Sequence, residues 1–535
     1  MQILCLNNEY TSDAVKYTIG YLLDRAGLFY KWIIDPGEVE ENSLLICYKP
    51  DNVQIDISGP VLFLYKHFEL EQLHSTNYIW DKATFENENI PIITTPEKQK
   101  FITSKPTLSS FDLIANLYYH LVRLEENRFQ HPNDIAKNVE NSILFKHGNY
   151  MIPIVDILCD FFQDEIKNKA EENNLILFRK SFYPQGENFG IAITHDVDFI
   201  HAYHPLKKLI LKLLINLRIK KNLTLENIDQ QDISVWGFDK LLSVYKRNNF
   251  KATFFFMAKY LEGRHFRYRI GSKKMKELLS QLKSDNHEIA LHPSRYAFEN
   301  PGRYAREKKK LQRIAQTKVI GMRHHYLRCL FPRIWNQAAR IGLSYDAGMV
   351  HRHFSGFRAG TCHPFETFDH SRQSQTGVIE FPTAFFENTL PEKGHDLPAS
   401  MEQIQALTSI AKKHQGLLTI LWHSNHIKQP PSYAILWDEI IRLLQKSEAL
   451  ILPLREHYRW FRQRREITLS DRWSEDGKSC FRLKTPPDLV RFTLLVPEEA
   501  EIWLDDSCTY TRKGSRLIIE NRNQAQHLLL KVQAP

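Results

Sequence analysis

The sequence predicts an α/β protein whose centre is a parallel (β/α) barrel of seven strands. Seven short apolar runs occur between residues 189 and 427, most of them separated by helical patterns, as in repeated parallel βα units. Several of these runs end in carboxylate, imidazole or guanidinium side chains, and the carboxyl ends of barrel strands meet on one face. The sequence therefore predicts a reactive site at that face. The predicted strands are residues 190–194, 252–257, 288–291, 319–322, 343–345, 378–381 and 417–422.

Two further domains are expected to flank this barrel, because 535 residues exceed what one ordinary core accommodates. Residues 1–183 alternate helical patterns with apolar runs such as 43–47 and 60–64, which indicates an N-terminal α/β domain. The barrel domain then spans residues 184–465. Residues 466–535 carry short alternating runs broken by Pro-Pro, Asp-Asp and Lys-Gly turns, which predicts a small, β-sandwich-like all-β domain.

Composition narrows the class of protein. The net charge of +9, from 71 basic and 62 acidic residues, is mild for this length and does not point to a nucleic-acid partner. The seven cysteines contain no Cys-x-x-Cys pair, so neither a disulfide framework nor a thiolate zinc site is indicated. The first residues lack a basic segment followed by a long apolar one, and no segment approaches the roughly 18 apolar residues of a membrane span. A cytoplasmic location is therefore expected.

The first predicted strand runs directly into His195, Asp196 and Asp198. The two carboxylates stand two residues apart, so one can bind a divalent metal while the other accepts a proton from water. The alternative is a strand-end turn in which the aspartates cap backbone groups. For an isolated pair of aspartates this alternative is the more common one.

Imidazole and guanidinium groups follow the later strands. His292 follows the strand at 288–291, and imidazole is the commonest nitrogen ligand of zinc. A histidine hydrogen-bonded at a strand end is an equally open interpretation. Taken singly, Arg323 and His423 are also compatible with a surface ion pair and a core histidine. His324, His325 and Asp346 also stand at strand ends. This repeated position favours one common site for all of these residues.

These strand-end motifs, taken in chain order, resemble those of the polysaccharide deacetylases of carbohydrate esterase family 4 (NodB homology). The first motif of that family, Thr-Phe-Asp-Asp-Gly, ends the first barrel strand. Residues 194–198 look like a variant of that motif, and residues 251–256 are similar to the family's second strand. Residues 286–292 match its GHEIGNH segment. Residues 321–326 resemble its arginine motif, and residues 421–423 its last strand with the catalytic histidine. The chain is thus similar to a divergent subgroup with an extra N-terminal domain.

The resemblance implies a metal-dependent hydrolase that removes an N-acetyl group from a sugar. It assigns Asp196 as the base that deprotonates the attacking water, with Arg323 holding that carboxylate in its charged form. It assigns His423 as the acid that protonates the departing amine, and the backbone N–H of Tyr326 as a donor to the oxyanion. The implied cofactor is a divalent metal, and zinc is the expected ion.

The metal ligands are where this sequence departs from the family pattern. The family has a second metal-binding histidine four residues after the first, and Tyr296 occupies that position here. His325 replaces the usual proline before the tyrosine of the arginine motif. We therefore expect Asp198, His292 and His325 to form the metal site, with His324 as the less favoured alternative to His325.

Substrate contacts are predicted for Tyr326, Asp346, Arg358 and Trp422. Arg358 lies in a glycine-rich segment, residues 356–365, and would bind an anionic sugar substituent such as a uronate or a diphosphate. The segment has no phosphate-loop spacing, so an ion pair between Arg358 and an acid such as Asp346 or Glu366 is an equal alternative. Glu387 is a further candidate for the site.

Residues 206–221 form a basic amphipathic pattern directly after the first motif. This segment could lie on an anionic membrane surface, which would suit a lipid-linked substrate. The favoured alternative is an insertion packed against the barrel with its lysines in solvent.

The expected substrate is an N-acetylated sugar in a nucleotide- or lipid-linked glycan precursor, used in cell-surface polysaccharide or lipopolysaccharide biosynthesis. Two other functions stay open. Tyr296 in place of the second histidine is compatible with a non-catalytic glycan-binding or scaffold protein that retains the barrel. Hydrolysis of another non-peptide C–N bond is the third alternative, because one barrel fold hosts many reactions.

Overall fold

The computed structural model shows three regions along the chain: a parallel sheet with helices, a larger curled sheet with helices, and a pair of antiparallel sheets. The residues described are 2–35, 37, 43–55, 57, 59–73, 78–85, 88–99, 106–126, 142–148, 150–200, 205–217, 219, 226, 235–259, 261–262, 265–266, 268–521 and 524–533.

The described part of the N-terminal region contains six strands and four α-helices. The strands are β1 (Gln2–Leu6), β2 (Tyr30–Ile33), β3 (Ser43–Lys49), β4 (Val61–Tyr65), β5 (Ile79–Phe85) and β6 (Glu88–Thr94). The first four form a parallel sheet in the order β2-β1-β3-β4, and β5 pairs with β6 in antiparallel fashion. The strands predicted at 43–47 and 60–64 are confirmed. The helices are α1 (Asp13–Ala26), α2 (Leu113–Leu121), α3 (Ile143–Lys146) and α4 (Ile154–Glu172).

Helix α1 shows how local sequence sets these boundaries. The hydroxyl of Ser12 accepts a hydrogen bond from the Val15 amide and caps the first turn. Gly27 ends the helix with φ of 76°, a left-handed conformation that favours glycine. A Cβ atom on Gly27 would lie 2.2 Å from the carbonyl oxygen of Lys180, so the N-terminal region and the following region touch at a glycine.

The seven predicted barrel strands all occur in one large sheet, two of them as short two-residue strands. The strands from 179 to 451 are β7 (Arg179–Lys180), β8 (Gly190–Val197), β9 (Ala252–Phe256), β10 (Leu261–Glu262), β11 (His265–Phe266), β12 (Glu288–Leu291), β13 (Gly321–Met322), β14 (Tyr345–Asp346), β15 (Phe365–Asp369), β16 (Ser374–Glu380), β17 (Thr383–Phe385), β18 (Leu417–Leu421) and β19 (Leu450–Ile451). The helices between and after them are α5 (Pro205–Asn216), α6 (Phe238–Asn248), α7 (Lys273–Ser284), α8 (Pro301–Ala315), α9 (Arg333–Arg340), α10 (Leu397–Lys413), α11 (Pro431–Lys446) and α12 (Leu454–Glu466).

The strand order in this sheet is β15-β16-β14-β13-β12-β9-β8-β18-β17, with β19 also pairing with β8. Neighbours are parallel except β15 and β16, which are antiparallel. The predicted strands therefore follow one another around the sheet in chain order, with the last beside the first. The α/β class with a mainly parallel sheet is confirmed.

The described strands do not form the closed seven-stranded barrel that the sequence predicts. Among the described strands the hydrogen-bond ladders form an open path that ends at β15 at one edge and at β17 at the other. Strand β16 pairs with the edge strand β15, and only Phe381 and Pro382 separate β16 from β17 in the chain. Proline has no amide hydrogen to continue a ladder, so the chain changes its pairing partner at this point. The sheet is curled, with both edges reached by one continuous segment.

The C-terminal region consists of two antiparallel four-stranded sheets. Its strands are β20 (Thr468–Glu475), β21 (Lys478–Lys484), β22 (Arg491–Leu495), β23 (Glu501–Leu504), β24 (Thr509–Lys513), β25 (Arg516–Glu520) and β26 (His527–Gln533). The orders are β20-β21-β26-β23 and β24-β25-β22-β7. Strand β7 comes from before the curled sheet, and Lys180 pairs there with Leu494. The chain thus contributes to the C-terminal sheets from both sides of the central region.

Candidate active site

Strand β8 separates its reactive side chains by the alternation of a β-strand. His195 points into the core, where Nδ1 lies 2.8 Å from the Trp422 carbonyl oxygen and Nε2 lies 2.5 Å from the Tyr245 hydroxyl. Burial lowers the pKa of His195 to about 3, so the ring is neutral. His195 is therefore a structural histidine, and Asp196 projects from the opposite face.

Arg323, which follows β13, holds Asp196 through a buried ion pair. Its Nη1 donates to Oδ1 of Asp196 at 3.1 Å and to Oγ1 of Thr194 at 2.8 Å. Nε donates to the Ala347 carbonyl at 2.8 Å, and Nη2 donates to Oγ1 of Thr383 at 3.0 Å. The guanidinium is fully buried and bonded on every nitrogen, so it fixes the position of the carboxylate.

Asp198, His292 and His325 form a cluster whose ligand atoms all lie within 4.8 Å of one another. Oδ1 of Asp198 lies 3.3 Å from Nε2 of His292 and 3.4 Å from Nε2 of His325. Nδ1 of His292 lies 2.6 Å from the carbonyl oxygen of Arg323, which can only accept, so this nitrogen donates the hydrogen bond. Nε2 of His292 is thus the ring nitrogen turned toward the cluster, the arrangement that metal-binding histidines show.

The electrostatics of the cluster suit a divalent cation. Burial raises the pKa of Asp198, but the charges and hydrogen bonding of His325 and His292 outweigh burial and bring the pKa well below its usual range. Within the described residues, Oδ1 of Asp198 is buried without a hydrogen bond of good geometry. One carboxylate oxygen and two imidazole nitrogens thus come together in a group that could hold a metal ion.

His423 lies at the other side of this cluster, with Nε2 3.9 Å from Oδ2 of Asp198. Its Nδ1 lies 2.5 Å from Oε1 of Glu387, and Nδ1 of His426 lies 2.5 Å from the same oxygen. Burial raises the pKa of Glu387, but the two imidazoles outweigh burial and hold it well below its usual range. A buried, charged carboxylate therefore orients two histidines at the edge of the site.

Asp346 lies behind the site and does not face it. The side chain is fully buried beside Glu380, and burial raises the pKa of both carboxyls. Glu380 accepts hydrogen bonds from Nε1 of Trp335 at 2.8 Å and from the Met349 amide at 3.0 Å. Two neighbouring buried carboxyls share a proton more readily than both ionise, so we interpret the pair as part of the core.

Tyr326 is the predicted substrate residue that the structure places at the surface of the cluster. Its ring lies over His325 with a centroid distance of 3.9 Å, and 44% of the residue is exposed. Its φ of 61° is left-handed, which turns the chain back immediately after His325. His324 points the other way, against Phe298 and Tyr304, and burial lowers its pKa to about 3. The two adjacent histidines are thus separated, and His325 alone reaches the cluster.

Arg358 and Trp422 are not brought to the cluster as substrate contacts. Arg358 is buried in an ion pair with Glu126 of the N-terminal region, with Nη2 2.6 Å and Nε 3.1 Å from the two carboxylate oxygens. Its Nη1 donates to the Val350 carbonyl, so every nitrogen is engaged and the arginine does not present a donor to an anionic substrate. Trp422 is fully buried and packs against Trp437 at a centroid distance of 5.2 Å.

Sequence reasoning missed two functional contacts. His426 was detectable in principle, because His-x-x-His follows the last strand, but its partner Glu387 lies on a separate turn. Glu126 carries no sequence signal, since it lies 232 positions from the arginine that it pairs with. Tyr296, which replaces the family's second histidine, is partly exposed at 37% and takes no part in the cluster.

Comparison with known proteins gives matches over two different parts of the chain. A family of unknown function, DUF7033, matches residues 3–171. No curated protein sequence matches at a significant level. Among solved structures, a protein from Mycobacterium smegmatis named as a polysaccharide deacetylase shows 16% identity and a TM-score of 0.38, covering 55% of this chain and 96% of that one.

Two further solved structures give similar values. A protein from Pseudomonas aeruginosa PAO1, also named as a polysaccharide deacetylase, has 12% identity, covers 53% of this chain and 93% of its own, and has a TM-score of 0.37. Puue allantoinase has 11% identity with the same coverage and a TM-score of 0.38. Identities and TM-scores this low do not show that this chain shares the activity of those proteins.

Proposed function

We propose that this protein is a metal-dependent hydrolase that removes an N-acetyl group from a sugar. The observation that carries the proposal is the arrangement around Asp198. A carboxylate fixed by an arginine, Asp196, lies on one side of the cluster, and a charged imidazole, His423, lies on the other. A candidate base and a candidate acid thus flank one candidate metal position, as amide hydrolysis requires. The motif resemblance to carbohydrate esterase family 4 supports the same reaction.

Asp198, His292 and His325 would hold the metal, for which zinc is the expected ion. When bound there, the ion supplies Lewis-acid polarisation of the acetamide carbonyl and of the attacking water. The donor set fits this ion, because the Asp198 oxygen and the Nε2 atom of His292 are both turned toward the cluster. Tyr296 contributes no ligand, so the third ligand is His325 rather than a residue at the family's usual position.

The protein side chains supply the proton transfers. Asp196 takes a proton from the water as its oxygen bonds to the acetyl carbon, and Arg323 keeps the carboxylate in place. The pKa of His423 is lowered by burial but raised more strongly by Glu387, to about 10, so the imidazole is protonated at neutral pH. His423 gives that proton to the nitrogen as the C–N bond breaks, which leaves acetate and a free amine.

Tyr326 is the residue that we propose binds the sugar. Its exposed ring lies directly over His325, so it offers an apolar platform beside the reacting bond. Its backbone N–H follows the metal ligand in the chain and would donate to the oxyanion. For the substrate itself we propose an N-acetylated sugar of a nucleotide- or lipid-linked precursor in cell-surface polysaccharide or lipopolysaccharide assembly.

The proposal is tested by measuring acetate release from N-acetylated sugars by the zinc-loaded full chain. We expect release by the native protein and a loss of at least about 10²-fold in Asp196→Asn, which removes the base and keeps the side-chain shape. Ser371→Ala, on an exposed turn outside the cluster, is the control and should retain full activity.

A second candidate, a non-catalytic glycan-binding protein, is favoured by one observation, the tyrosine at position 296. Sugar binding with a stable zinc content and no acetate release in any variant would establish this alternative and overturn the hydrolase proposal. Acetate release that depends on both zinc and Asp196 would exclude it.

A further inference from the structure

Helix α5 presents an apolar face to solvent. Leu209, Ile210, Leu213 and Leu217 are between 52% and 65% exposed, and Ile219 beyond the helix is 64% exposed. Isolated apolar residues on a surface are common, but five within eleven positions form a patch. The favoured expectation from sequence is an insertion packed against the barrel with its lysines in solvent, and these five apolar residues take no part in such packing.

The exposed residues form one stripe along the helix. Their spacing of one, four and eight positions places them within about 100° around the helix axis, given 3.6 residues per turn. Leu211, Leu214 and Ile215 occupy the other side and are only partly exposed. The helix thus leaves one apolar face in water. Such a face has a use only if something apolar covers it.

The charges around the stripe identify what covers it. Residues 205–225 contain six basic residues and no acidic one: Lys207, Lys208, Lys212, Arg218, Lys220 and Lys221. Basic residues flanking an apolar helical stripe are the pattern of a helix that lies in the interface of an anionic bilayer. A second copy of this chain would bring the same positive charge against it, which disfavours self-association through this face.

We propose that α5 binds the surface of an anionic lipid membrane, with the exposed stripe inserted among the acyl chains. The basic residues of the sequence 205–225 supply the attraction to the anionic headgroups. The helix has twelve residues, and no described helix is long and apolar enough to cross a bilayer, so the contact is peripheral. The helix begins seven positions after Asp198, at the carboxyl end of β8. Membrane contact would therefore hold the candidate site close to the lipid surface. The membrane proposal does not depend on whether the protein has hydrolase activity.

Vesicle flotation with the full chain tests the proposal. The probes are vesicles of phosphatidylcholine with phosphatidylglycerol and vesicles of phosphatidylcholine alone. We expect flotation with the anionic vesicles only, and a decrease of at least about tenfold in Leu209→Glu/Leu213→Glu, which places charge in the stripe. Added salt should also weaken binding, because the basic residues contribute through charge.

The matched control is Ile435→Glu, which changes an apolar residue that is 51% exposed on α11, away from the stripe. It should float like the native chain, and circular dichroism should show all variants folded. Equal binding to both vesicle types, absence of binding, or equal loss in the control would each overturn the proposal. So would a dimer, seen by sedimentation, that Leu209→Glu/Leu213→Glu dissociates while vesicle binding is absent.

Discussion

Oε1 of Glu387 lies 2.5 Å from Nδ1 of His423, and this contact determines the protonation state of the imidazole. Burial lowers the pKa of His423, but the carboxylate raises it to about 10. The proton is therefore present at neutral pH and is lost only as the pH rises through this range.

Glu387→Gln should move the alkaline limb of the pH–rate profile to lower pH. The substitution removes the negative charge and keeps the side-chain shape, so His423 loses its proton more readily. At the alkaline end we expect kcat to fall by about 10²-fold, the usual contribution of a general acid. Steady-state kinetics of acetate release across the pH range measure both effects. His426→Gln keeps the Glu387 charge and should leave the limb near its native position. An unchanged limb in Glu387→Gln would contradict the role of His423 as the acid.

His325→Ala should lower the zinc content of the purified protein. The imidazole contributes one of three donors in the cluster, and its loss leaves two. Zinc is measured by elemental analysis after dialysis against a weak chelator. His324→Asn is the control, because the neighbouring imidazole points toward Phe298 and Tyr304 and away from the cluster. Stoichiometric zinc in His325→Ala would show that another residue is the third ligand.

Arg323→Met should destabilise the fold as well as the site. It leaves the buried Asp196 carboxylate without its cation, and breaking a buried pair in this way costs about 3–5 kcal/mol. Urea unfolding followed by circular dichroism measures the free energy of unfolding. The double variant Arg323→Met/Asp196→Asn removes the uncompensated charge and should recover part of that loss. If the double variant is no more stable than Arg323→Met, the cost comes from lost packing and the contacts to Ala347 and Thr383.

Glu126→Gln should lower stability at neutral pH and make little difference in acid. Burial raises the pKa of Glu126, but Arg358 and Arg123 outweigh burial and lower it to about 2. A carboxyl with a lowered pKa stabilises the folded state above its ordinary value of 4.5, and that stability is lost as the pH falls through about 2.

The difference between native protein and Glu126→Gln in urea unfolding should thus be largest at neutral pH and shrink toward pH 2. The same variant separates two roles of Arg358. If Arg358 stabilises the fold alone, KM for substrate stays native while stability falls. A large rise in KM without a stability change would instead favour the anion-binding interpretation.

Strand periodicity predicted the part of the site that depends on topology. Because parallel strands end at one edge of a sheet, residues separated by more than a hundred positions, such as Asp198 and His325, could be expected to meet. The structure brings them within 3.4 Å. Their roles as metal ligands stay a prediction.

Partners that depend on irregular backbone were beyond sequence reasoning. Glu387 was a candidate for the site, but it stands on a short turn after β17, where no periodicity shows that its side chain meets His423 and His426. The sequence left two possible partners for Arg358, an anionic substrate group and an acidic side chain. The structure pairs it with Glu126, which belongs to another region of the chain. The open ladder of the central sheet has the same origin, since it results from one local event at Phe381 and Pro382.

The change of pairing partner between β16 and β17 also separates two parts of the site along the chain. The candidate metal ligands come before this point, and the candidate acid and its carboxylate partner come after it. The three candidate ligands follow β8, β12 and β13, so all of them are present once the chain has been made as far as His325. The carboxylate and imidazole of the candidate acid follow β17 and β18, which join the sheet from its other edge. A nascent chain, or one truncated after His325, would therefore contain all three candidate metal ligands but not the candidate acid His423 or its partner Glu387.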